Sequence, residues 1–367
     1  MTESRTEIKD VQQNLSAYQR KSKKEIEDVQ QNLTKVSKEI EQWNATTLQM
    51  LEKMKRIEQR VLALPSPVEI VWNSVRKDIF VAGGYPSSSL KSAEIFNWKE
   101  KKWIKFASME NGHGGASSFI KNNTLFVAGG YGCKSVDKMN LNQLPLTFQT
   151  FPGKLPCEWY AHQTVVYKQK VLYIGGFIVG KETSDIIYEV QISGNKHLEE
   201  FCHMPEPRQD HKAVVVDDKV FIFGGCAKGS QPLSSVLEFD PKIPELKEMT
   251  PLPHPLIGMA TVQWRDQVVL LGGYDGSETL NNVIMYDSKT GKSMPIPSML
   301  EKRSECCAVI IGDTIVVMGG KNDKGEVLKS VEYFTMGSSS SWDKLPLMNE
   351  PRKEAIAEVL PFEQKYV

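Results

Sequence analysis

Apolar residues in the first 64 positions recur at alternating intervals of three and four residues. The clearest part of this seam is Ile26, Val29, Leu33, Val36, Ile40, Trp43, Thr47, Met50, Met54, Ile57, Val61 and Leu64, in which only Thr47 is polar. Upstream, EIKDVQQNL (Glu7 to Leu15) recurs as EIEDVQQNL (Glu25 to Leu33) after 18 residues, which is two heptads plus a four-residue stutter. The pattern predicts an α-helical coiled coil over residues 1–64.

A long helix with an exposed apolar stripe is stabilised when that stripe packs against a partner. We therefore expect residues 1–64 to self-associate and to make the protein a homo-oligomer. The alternative, in which the stripe packs against the rest of the chain, stays open. LPSP at Leu64 to Pro67 ends the predicted helix, and residues 65–78 are interpreted as a linker or entry segment.

Beyond Pro67 the pattern changes to short, continuously apolar runs that each end in a pair of glycines. The pairs are Gly83–Gly84, Gly129–Gly130, Gly175–Gly176, Gly224–Gly225, Gly272–Gly273 and Gly319–Gly320, at intervals of 46, 46, 49, 48 and 47 residues. A continuous apolar run predicts a strand that is covered on both faces. Six copies at this period predict the blades of a β-propeller, in which the glycines are structural residues.

The larger aromatic residues that follow the glycine pairs carry a resemblance to a known family. Phe96 and Trp103 keep a Tyr-x6-Trp-like spacing, as do Phe239 and Leu246, whereas Phe334 and Trp342 are one residue farther apart. Tyr286 is followed by Ser293 at the Trp position. Together with the glycine pairs, this pattern resembles the kelch repeat superfamily over about 300 of the 367 residues. The resemblance implies an all-β six-bladed kelch β-propeller over residues 79–367, preceded by the N-terminal α-helical coiled coil.

Two segments compete for the innermost strand of the first blade. They are Val68 to Asn73 and the C-terminal Lys353 to Leu360. EPRKEAIAEVL (Glu350 to Leu360) matches EPRQDHKAVVV (Glu206 to Val216). No Glu-Pro-Arg sequence precedes the segment after Pro67. This match favours closure of the ring by the C-terminal strand 353–360.

Two sets of repeat-defined positions are candidate partner-binding residues on the face where the longer loops emerge. Sixteen residues before the first glycine of each pair stand His113, Trp159, Arg208, Leu256 and Arg303, and the C-terminal copy supplies Arg352. We interpret these as a ring at the channel mouth that suits an acidic peptide; a structural role within the repeat is weighed equally. Directly after the glycine pairs stand the aromatic residues Tyr85, Tyr131, Phe177 and Tyr274, a second candidate contact layer. His162 and His211 are expected to be packed core residues.

Composition narrows the possible functions. Lys+Arg and Asp+Glu both number 45, so we expect no binding to nucleic acid or to a membrane surface. No apolar stretch reaches the roughly 18 residues of a membrane span, and the first residues are too polar for a secretory signal, which predicts a cytoplasmic protein. The six cysteines have no metal-binding spacing, so free thiols and no cofactor or metal are expected.

The leading hypothesis is a non-catalytic scaffold or adaptor whose propeller binds a target protein or peptide. The kelch resemblance implies recruitment of substrates to a ubiquitin ligase or organisation of actin, although the sequence shows no BTB-type domain and no RING or B-box cluster. The alternative is a sugar-binding or mutarotase-type propeller enzyme that uses His113, Arg208 and Arg303. An iron-dependent enzyme is disfavoured because Val214 follows Glu206 and Asp210 where a histidine is needed.

Overall fold

The computed structural model describes residues 22–24, 30–38, 40–42, 78–190, 198–228, 231–243 and 245–360. Contacts between Cα atoms divide the chain into two units, Met1–Ser74 and Val75–Val367. Each unit is described by itself. None of the helical residues within these ranges belongs to a helix long and apolar enough to cross a membrane.

The described part of the first unit is helical at residues 22–24, 30–38 and 40–42. Three seam residues fall within it: Leu33, Val36 and Ile40, whose exposed fractions are 64%, 50% and 54%. They lie three and four residues apart, so a single helix face presents all three to solvent. The other seam positions of the predicted coiled coil lie outside the described residues, as do residues 65–77 of the predicted linker.

The second unit is built of short strands. The first fourteen are β1 (Ile79–Ala82), β2 (Ala93–Asn97), β3 (Lys102–Phe106), β4 (Ser117–Lys121), β5 (Thr124–Ala128), β6 (Val136–Asn140), β7 (Phe148–Thr150), β8 (Trp159–Tyr160), β9 (Gln163–Tyr167), β10 (Lys170–Ile174), β11 (Phe177–Ile178), β12 (Glu182–Thr183), β13 (Ile186–Val190) and β14 (Leu198–His203). The others are β15 (Lys212–Val216), β16 (Lys219–Phe223), β17 (Val236–Asp240), β18 (Glu245–Met249), β19 (Ala260–Trp264), β20 (Gln267–Leu271), β21 (Val283–Asp287), β22 (Ser293–Ile296), β23 (Cys307–Ile311), β24 (Thr314–Met318), β25 (Val331–Thr335), β26 (Asp343–Leu345) and β27 (Ile356–Val359).

Within the described residues these strands form six four-stranded antiparallel sheets and one small three-stranded sheet. Sheets 1 to 6 are, from the innermost strand outward, β27-β1-β2-β3, β4-β5-β6-β7, β9-β10-β13-β14, β15-β16-β17-β18, β19-β20-β21-β22 and β23-β24-β25-β26. The innermost strands contact one another in cyclic order, and β27 of sheet 1 touches both β23 of sheet 6 and β4 of sheet 2. The sheets are therefore arranged around a closed ring.

The innermost strand of sheet 1 comes from the far end of the chain. Ile356 pairs with Ala82 and Val359 with Ile79 in antiparallel register. Strand β27 thus occupies the innermost place in sheet 1. Because β1 and β27 are joined by backbone hydrogen bonds, the two ends of the described unit hold each other in one sheet.

The second strand of each sheet ends at a glycine pair because neighbouring sheets meet there. A Cβ built at the first glycine of any pair would lie 2.2–2.4 Å from a carbonyl oxygen of the segment that leads into the next sheet. At Gly319, for example, the nearest atom is the Arg352 carbonyl oxygen at 2.2 Å, and φ is +61°. Only glycine fits such an approach with a positive φ.

The core lies between adjacent sheets. Strands β1, β5, β10, β16, β20 and β24 are buried along almost their whole length, as their continuous apolar sequences predict. Farther out, Phe96 stands opposite Trp103 in sheet 1, and Phe334 stacks on Trp342 in sheet 6. The indole nitrogens of Trp103 and Trp342 donate to the carbonyls of Pro346 and Pro297, each in the preceding sheet's segment. The outer aromatics therefore also tie neighbouring sheets together.

Candidate functional site

The ring of residues predicted at the channel mouth is buried. His113, Trp159, Arg208, Arg303 and Arg352 are all at most 1% exposed. The expectation that these side chains face a partner does not hold in the structure, because each one points into its own sheet instead of into solvent.

Each of these five side chains bonds to the carbonyl oxygen of the first glycine in its own sheet. The distances are 2.7 Å for His113 Nδ1 to Gly129, 2.8 Å for Trp159 Nε1 to Gly175, 3.0 Å for Arg208 Nη1 to Gly224, 2.7 Å for Arg303 Nη1 to Gly319 and 2.7 Å for Arg352 Nη1 to Gly83. A buried carbonyl left without a donor would be costly, so this shared contact explains why polar side chains recur at the position.

Carboxylates neutralise the arginines, and two of them, Glu94 and Glu332, are themselves buried. Arg352 pairs with Glu94 at 3.1 Å, and Arg303 pairs with Glu332 at 2.5 Å. Arg208 pairs with Glu206, two residues earlier, at 3.0 Å. Since these charges are already matched inside the protein, they are not available to an acidic peptide.

His113 takes the arginine position in sheet 2 and has its own acidic partner. Its Nε2 lies 3.4 Å from Asp137 Oδ2, and both side chains are fully buried. Burial lowers the pKa of His113, but the interactions with the Asp137 carboxylate and the Cys133 thiol outweigh that effect and raise the pKa to about 9. His113 is therefore a charged structural residue, like the arginines it replaces.

His162 and His211 are packed in the core, as expected. Both are fully buried, and the His162 ring stacks on Tyr173 with ring centroids 5.1 Å apart. Burial alone lowers the pKa of His162 to about 3. These histidines are neutral near pH 7 and belong to the packing of the inner strands.

The aromatic residues after the glycine pairs behave differently, because three of them join one continuous surface. Tyr85, Tyr131, Tyr160 and Phe177 follow one another with ring centroids 5.1, 4.1 and 5.1 Å apart. All four are partly exposed. We call these four residues the aromatic row. It extends from the ends of β1 and β5 in sheets 1 and 2 to the small three-stranded sheet, on the face where the glycine pairs open into loops, here called the loop face.

Tyr160 is the member of the row that the sequence analysis missed, and Tyr274 is the candidate that does not join. Tyr160 lies in β8 and pairs with Phe177 in β11, within the small sheet β12-β11-β8. Tyr274 is 37% exposed, and its hydroxyl donates to the Gly276 carbonyl at 2.9 Å. Among the described residues, Tyr274 has no ring contact with the row.

A second feature of the loop face is a closed circle of backbone hydrogen bonds at the channel mouth. Its six members stand 14 residues before the first glycine of their sheets, or at the matching C-terminal position. They are Gly115, Ala161, Asp210, Gly258, Glu305 and Glu354, here called the mouth ring. Each N–H donates to the carbonyl of the preceding member, with Gly115 donating to Glu354, at 2.6–3.1 Å. All six have φ between +53° and +68°.

The three acidic members of the mouth ring have different environments. Glu305 is bonded to Lys321 at 2.6 Å and to Lys353 at 2.9 Å, which hold its pKa below the usual value despite burial. Burial raises the pKa of Asp210 to about 6. Burial, with the nearby Glu305 charge, raises the pKa of Glu354 to about 7. The sequence signal for these residues was their shared repeat position, two places after the arginines.

The mouth ring encloses a cavity of about 50 Å³, with Lys212 also on its wall. Drug-sized ligand sites are typically about 300–1,000 Å³. His113, Arg208 and Arg303, the residues named for a sugar-binding enzyme, do not line this cavity. Within the described ranges, no group of three or more His, Cys, Asp and Glu residues is placed to hold a metal ion, and all six cysteines there are free.

Comparison with known proteins finds a matching family model and relatives of similar sequence. Residues 188–360 match the model of the KLHDC2/KLHL20/DRC7 Kelch-repeats domain. Human kelch-like protein 23 is 25% identical over 272 residues, covering 70% of this chain and 46% of that protein. Beta-scruin of Limulus polyphemus is 23% identical over 259 residues, covering 61% of this chain and 27% of that protein. The chain thus spans about half or less of the length of these relatives.

A solved structure supports the same architecture. The structure of YjhT is similar with a TM-score of 0.58 at 14% sequence identity, over 67% of this chain and 87% of that one. At this identity the likeness concerns the fold alone. It agrees with the ring of antiparallel four-stranded sheets described above.

Proposed function

We propose that this chain, which belongs to the kelch repeat superfamily, is a non-catalytic protein-interaction scaffold whose loop face binds a target protein. The observation that carries the proposal is the aromatic row. Tyrosine and other aromatic side chains are enriched at protein interfaces and at their hot spots. Four adjoining, partly exposed rings across three sheets form such a surface.

The proposed organisation has three parts. Residues 79–367 form a six-bladed kelch β-propeller closed by strand 353–360, which the six four-stranded sheets and the pairing of β27 with β1 support. Residues 1–64 form an oligomerising coiled coil, and residues 65–78 link the two. The exposed Leu33, Val36 and Ile40 support a helix face that packs on another helix. Joining two or more propellers raises avidity without any new contact.

The binding test compares variants on opposite faces of the propeller. We would change Tyr85 and Phe177, the two ends of the aromatic row, to Ser, and capture partners from lysate with the full chain. The matched control is Ile243→Ser, because Ile243 is 61% exposed in the turn between β17 and β18, on the opposite face. We expect partners to be lost only from the row variant, at equal folding by circular dichroism. Equal capture by both variants would contradict binding through the row.

Two settings for such a scaffold are proposed, and they are separated by the identity of the captured proteins and by a sedimentation assay. Recruitment of substrates to a ubiquitin ligase predicts ligase subunits among the captured proteins. Organisation of actin predicts co-sedimentation of the purified chain with actin filaments. The row variant is expected to lose whichever association the wild type shows, since both settings use the propeller face.

Self-association has a separate test. We would measure the mass of the full chain by light scattering before and after changing Leu33, Val36 and Ile40 to Ser. The control changes Lys35 and Lys38, neighbours that lie off the seam, to Ser. We expect an oligomer that only the seam variant converts to a monomer. A monomeric wild type would overturn the coiled coil without affecting the propeller.

A further inference from the structure

The mouth ring holds a buried acceptor that lacks a donor. Glu354 Oε2 is enclosed and has no hydrogen-bond partner among the described residues. The other oxygen, Oε1, accepts from the Tyr131 hydroxyl at 3.3 Å. An unpaired carboxylate oxygen in such a place is costly, and a donor from outside would remove that cost.

The carboxylates and lysines around Glu354 Oε2 determine which charge the cavity favours. Lys321 and Lys353 both bond to Glu305, and Lys353 Nζ also lies 3.7 Å from Glu354 Oε1, which leaves Glu354 Oε2 without a donor among the described residues. Asp210 and Glu354 line the same cavity, with Lys212 on its wall two residues after Asp210. Burial and the Glu305 charge raise the pKa of Asp210 to about 6 and that of Glu354 to about 7, so a further positive charge beside them would favour their ionised forms.

The size and surroundings of the cavity fit a guanidinium group. One water needs about 10–15 Å³ of such space, so the cavity of about 50 Å³ accommodates a small planar head group but no larger ligand. A guanidinium presents several N–H donors in one plane and stacks on aromatic rings. Tyr131 belongs to the aromatic row and bonds to Glu354, so the aromatic surface begins at the edge of the acidic cavity.

We propose that the mouth ring binds the guanidinium of an arginine in a partner's peptide segment, while apolar residues of that segment lie on the aromatic row. Glu354 and Asp210 accept the guanidinium N–H groups, and Tyr131 and Tyr160 cover the arginine stem. This inference rests on the proposed function and names the partner's chemistry. It reverses the charge expected from sequence, because the arginines that suggested an acidic peptide are buried.

The test uses defined peptides at pH 8, where the Glu354 carboxyl is ionised. The probe is fluorescein-labelled Gly-Pro-Leu-Arg-Leu-Pro-Gly with an amidated C-terminus, titrated with the full chain and followed by fluorescence anisotropy. Matched peptides replace Arg with citrulline, Lys or Glu. Citrulline keeps the shape of arginine and removes its charge. We expect the arginine peptide to bind about tenfold more tightly than the citrulline peptide and to weaken with added salt.

Variants locate the binding. Glu354→Gln and Asp210→Asn should each weaken the arginine peptide about fivefold or more, and Tyr131→Phe should weaken it less because the ring remains. The control Glu245→Gln removes an exposed carboxylate on an outer strand and should change nothing. Since Glu354→Gln and Tyr131→Phe alter few atoms, they remain informative if a larger change disturbs folding.

Each remaining outcome is decisive. Equal binding of the arginine and citrulline peptides, or tighter binding of the glutamate peptide, overturns the proposal. So does the absence of any arginine-dependent binding up to about millimolar chain, the weak limit of specific association. If the Tyr85 and Phe177 variant still loses its captured partners in that case, the proposed function stands and only the arginine assignment fails. If neither experiment shows binding at this face, both fail.

Discussion

Arg352 Nη1 donates a 2.7 Å hydrogen bond to the carbonyl oxygen of Gly83, a residue 269 positions earlier in the chain. The same guanidinium is paired with the buried Glu94 of β2. In sheets 2, 3, 4 and 6 this bond joins residues only 16 positions apart. One repeated contact therefore becomes, in sheet 1, the side-chain bond that closes the ring.

Removing the Arg352 guanidinium should strongly destabilise the ring. We expect Arg352→Ala to lower the free energy of unfolding by about 3–5 kcal/mol, because it removes the donor to the Gly83 carbonyl and the counter-charge of the buried Glu94. Among the described residues, Glu94 would then keep only its hydrogen bonds from Asn349 and Glu350. Urea denaturation measures the effect.

Arg265→Ala, which removes an exposed arginine that lies over the Trp264 ring, is the control and should cost less than about 1 kcal/mol. If Arg352→Ala lowered the free energy of unfolding by less than about 1 kcal/mol, the role of Arg352 in closing the ring would be contradicted.

Two glycine substitutions separate the stability lost through steric overlap of a side chain from the stability lost through a positive φ. Gly319 and Gly312 both have φ of +61°, but a Cβ at Gly312 would meet no atom within 4 Å. Gly312→Ala should therefore cost about 1 kcal/mol from the positive φ alone. Gly319→Ala should cost several times more, because its Cβ would overlap the Arg352 carbonyl. Comparison of the two thermal unfolding curves checks this, and equal losses would refute the steric explanation.

A partly buried carboxylate that lines the channel should make stability depend on pH. Glu358 lines a cavity of about 210 Å³ between the inner strands, and the Ser118 hydroxyl donates to it at 2.7 Å. Burial raises the Glu358 pKa to about 7, although the bond from Ser118 lowers it. A raised carboxyl pKa means that the folded state binds the proton more tightly. This contribution to stability is complete below about pH 4.5 and is lost as pH rises through 7.

Glu358→Gln removes this titration. We expect the variant to match the wild type in melting temperature near pH 5 and to exceed it at pH 8, where the wild type carries a partly buried charge. The expected gain at pH 8 is about 1–3 kcal/mol. Glu245→Gln, on an exposed outer strand, should show no such divergence. Parallel melting curves for wild type and Glu358→Gln across this range would show that Glu358 is not desolvated.

Two tryptophans make similar hydrogen bonds in different surroundings. Trp342 Nε1 donates to the Pro297 carbonyl at 2.7 Å, and Trp342 is 2% exposed. Trp264 Nε1 donates to Asp313 Oδ1 at 2.8 Å, and Trp264 is only partly buried. Trp342→Phe should cost about 1–3 kcal/mol from the lost packing and the unpaired carbonyl between sheets 5 and 6. Trp264→Phe should cost less than about 1 kcal/mol, and chemical denaturation would measure both.

Much of the repeat architecture could be predicted because it is local. The apolar run before Gly319, for example, corresponds to β24, and the glycine pair marks its end. The candidate site was harder to predict. The position of Arg208 and Arg303 was identified, but sequence alone could not distinguish an arginine that faces a partner from one that bonds to a glycine carbonyl 16 residues later. That distinction depends on the direction of the side chain within the folded sheet.

Tyr160 and Glu354 show the same limit. Each becomes a candidate binding residue only through neighbours from distant parts of the chain: Tyr160 through Tyr131, and Glu354 through the Tyr131 hydroxyl. Neither has a distinctive motif of its own.

By itself, the sequence determined where the strands lie, where glycine is required and how many times the unit repeats, because those properties depend on burial and backbone conformation within one repeat. Only the tertiary structure decided which polar residues are already satisfied and which still lack a partner. Arg352 is satisfied by Gly83 and Glu94, whereas Glu354 keeps a carboxylate oxygen without a donor. The physical reason is that hydrogen-bond satisfaction is a property of contacts between repeats, and those contacts exist only once the ring has closed.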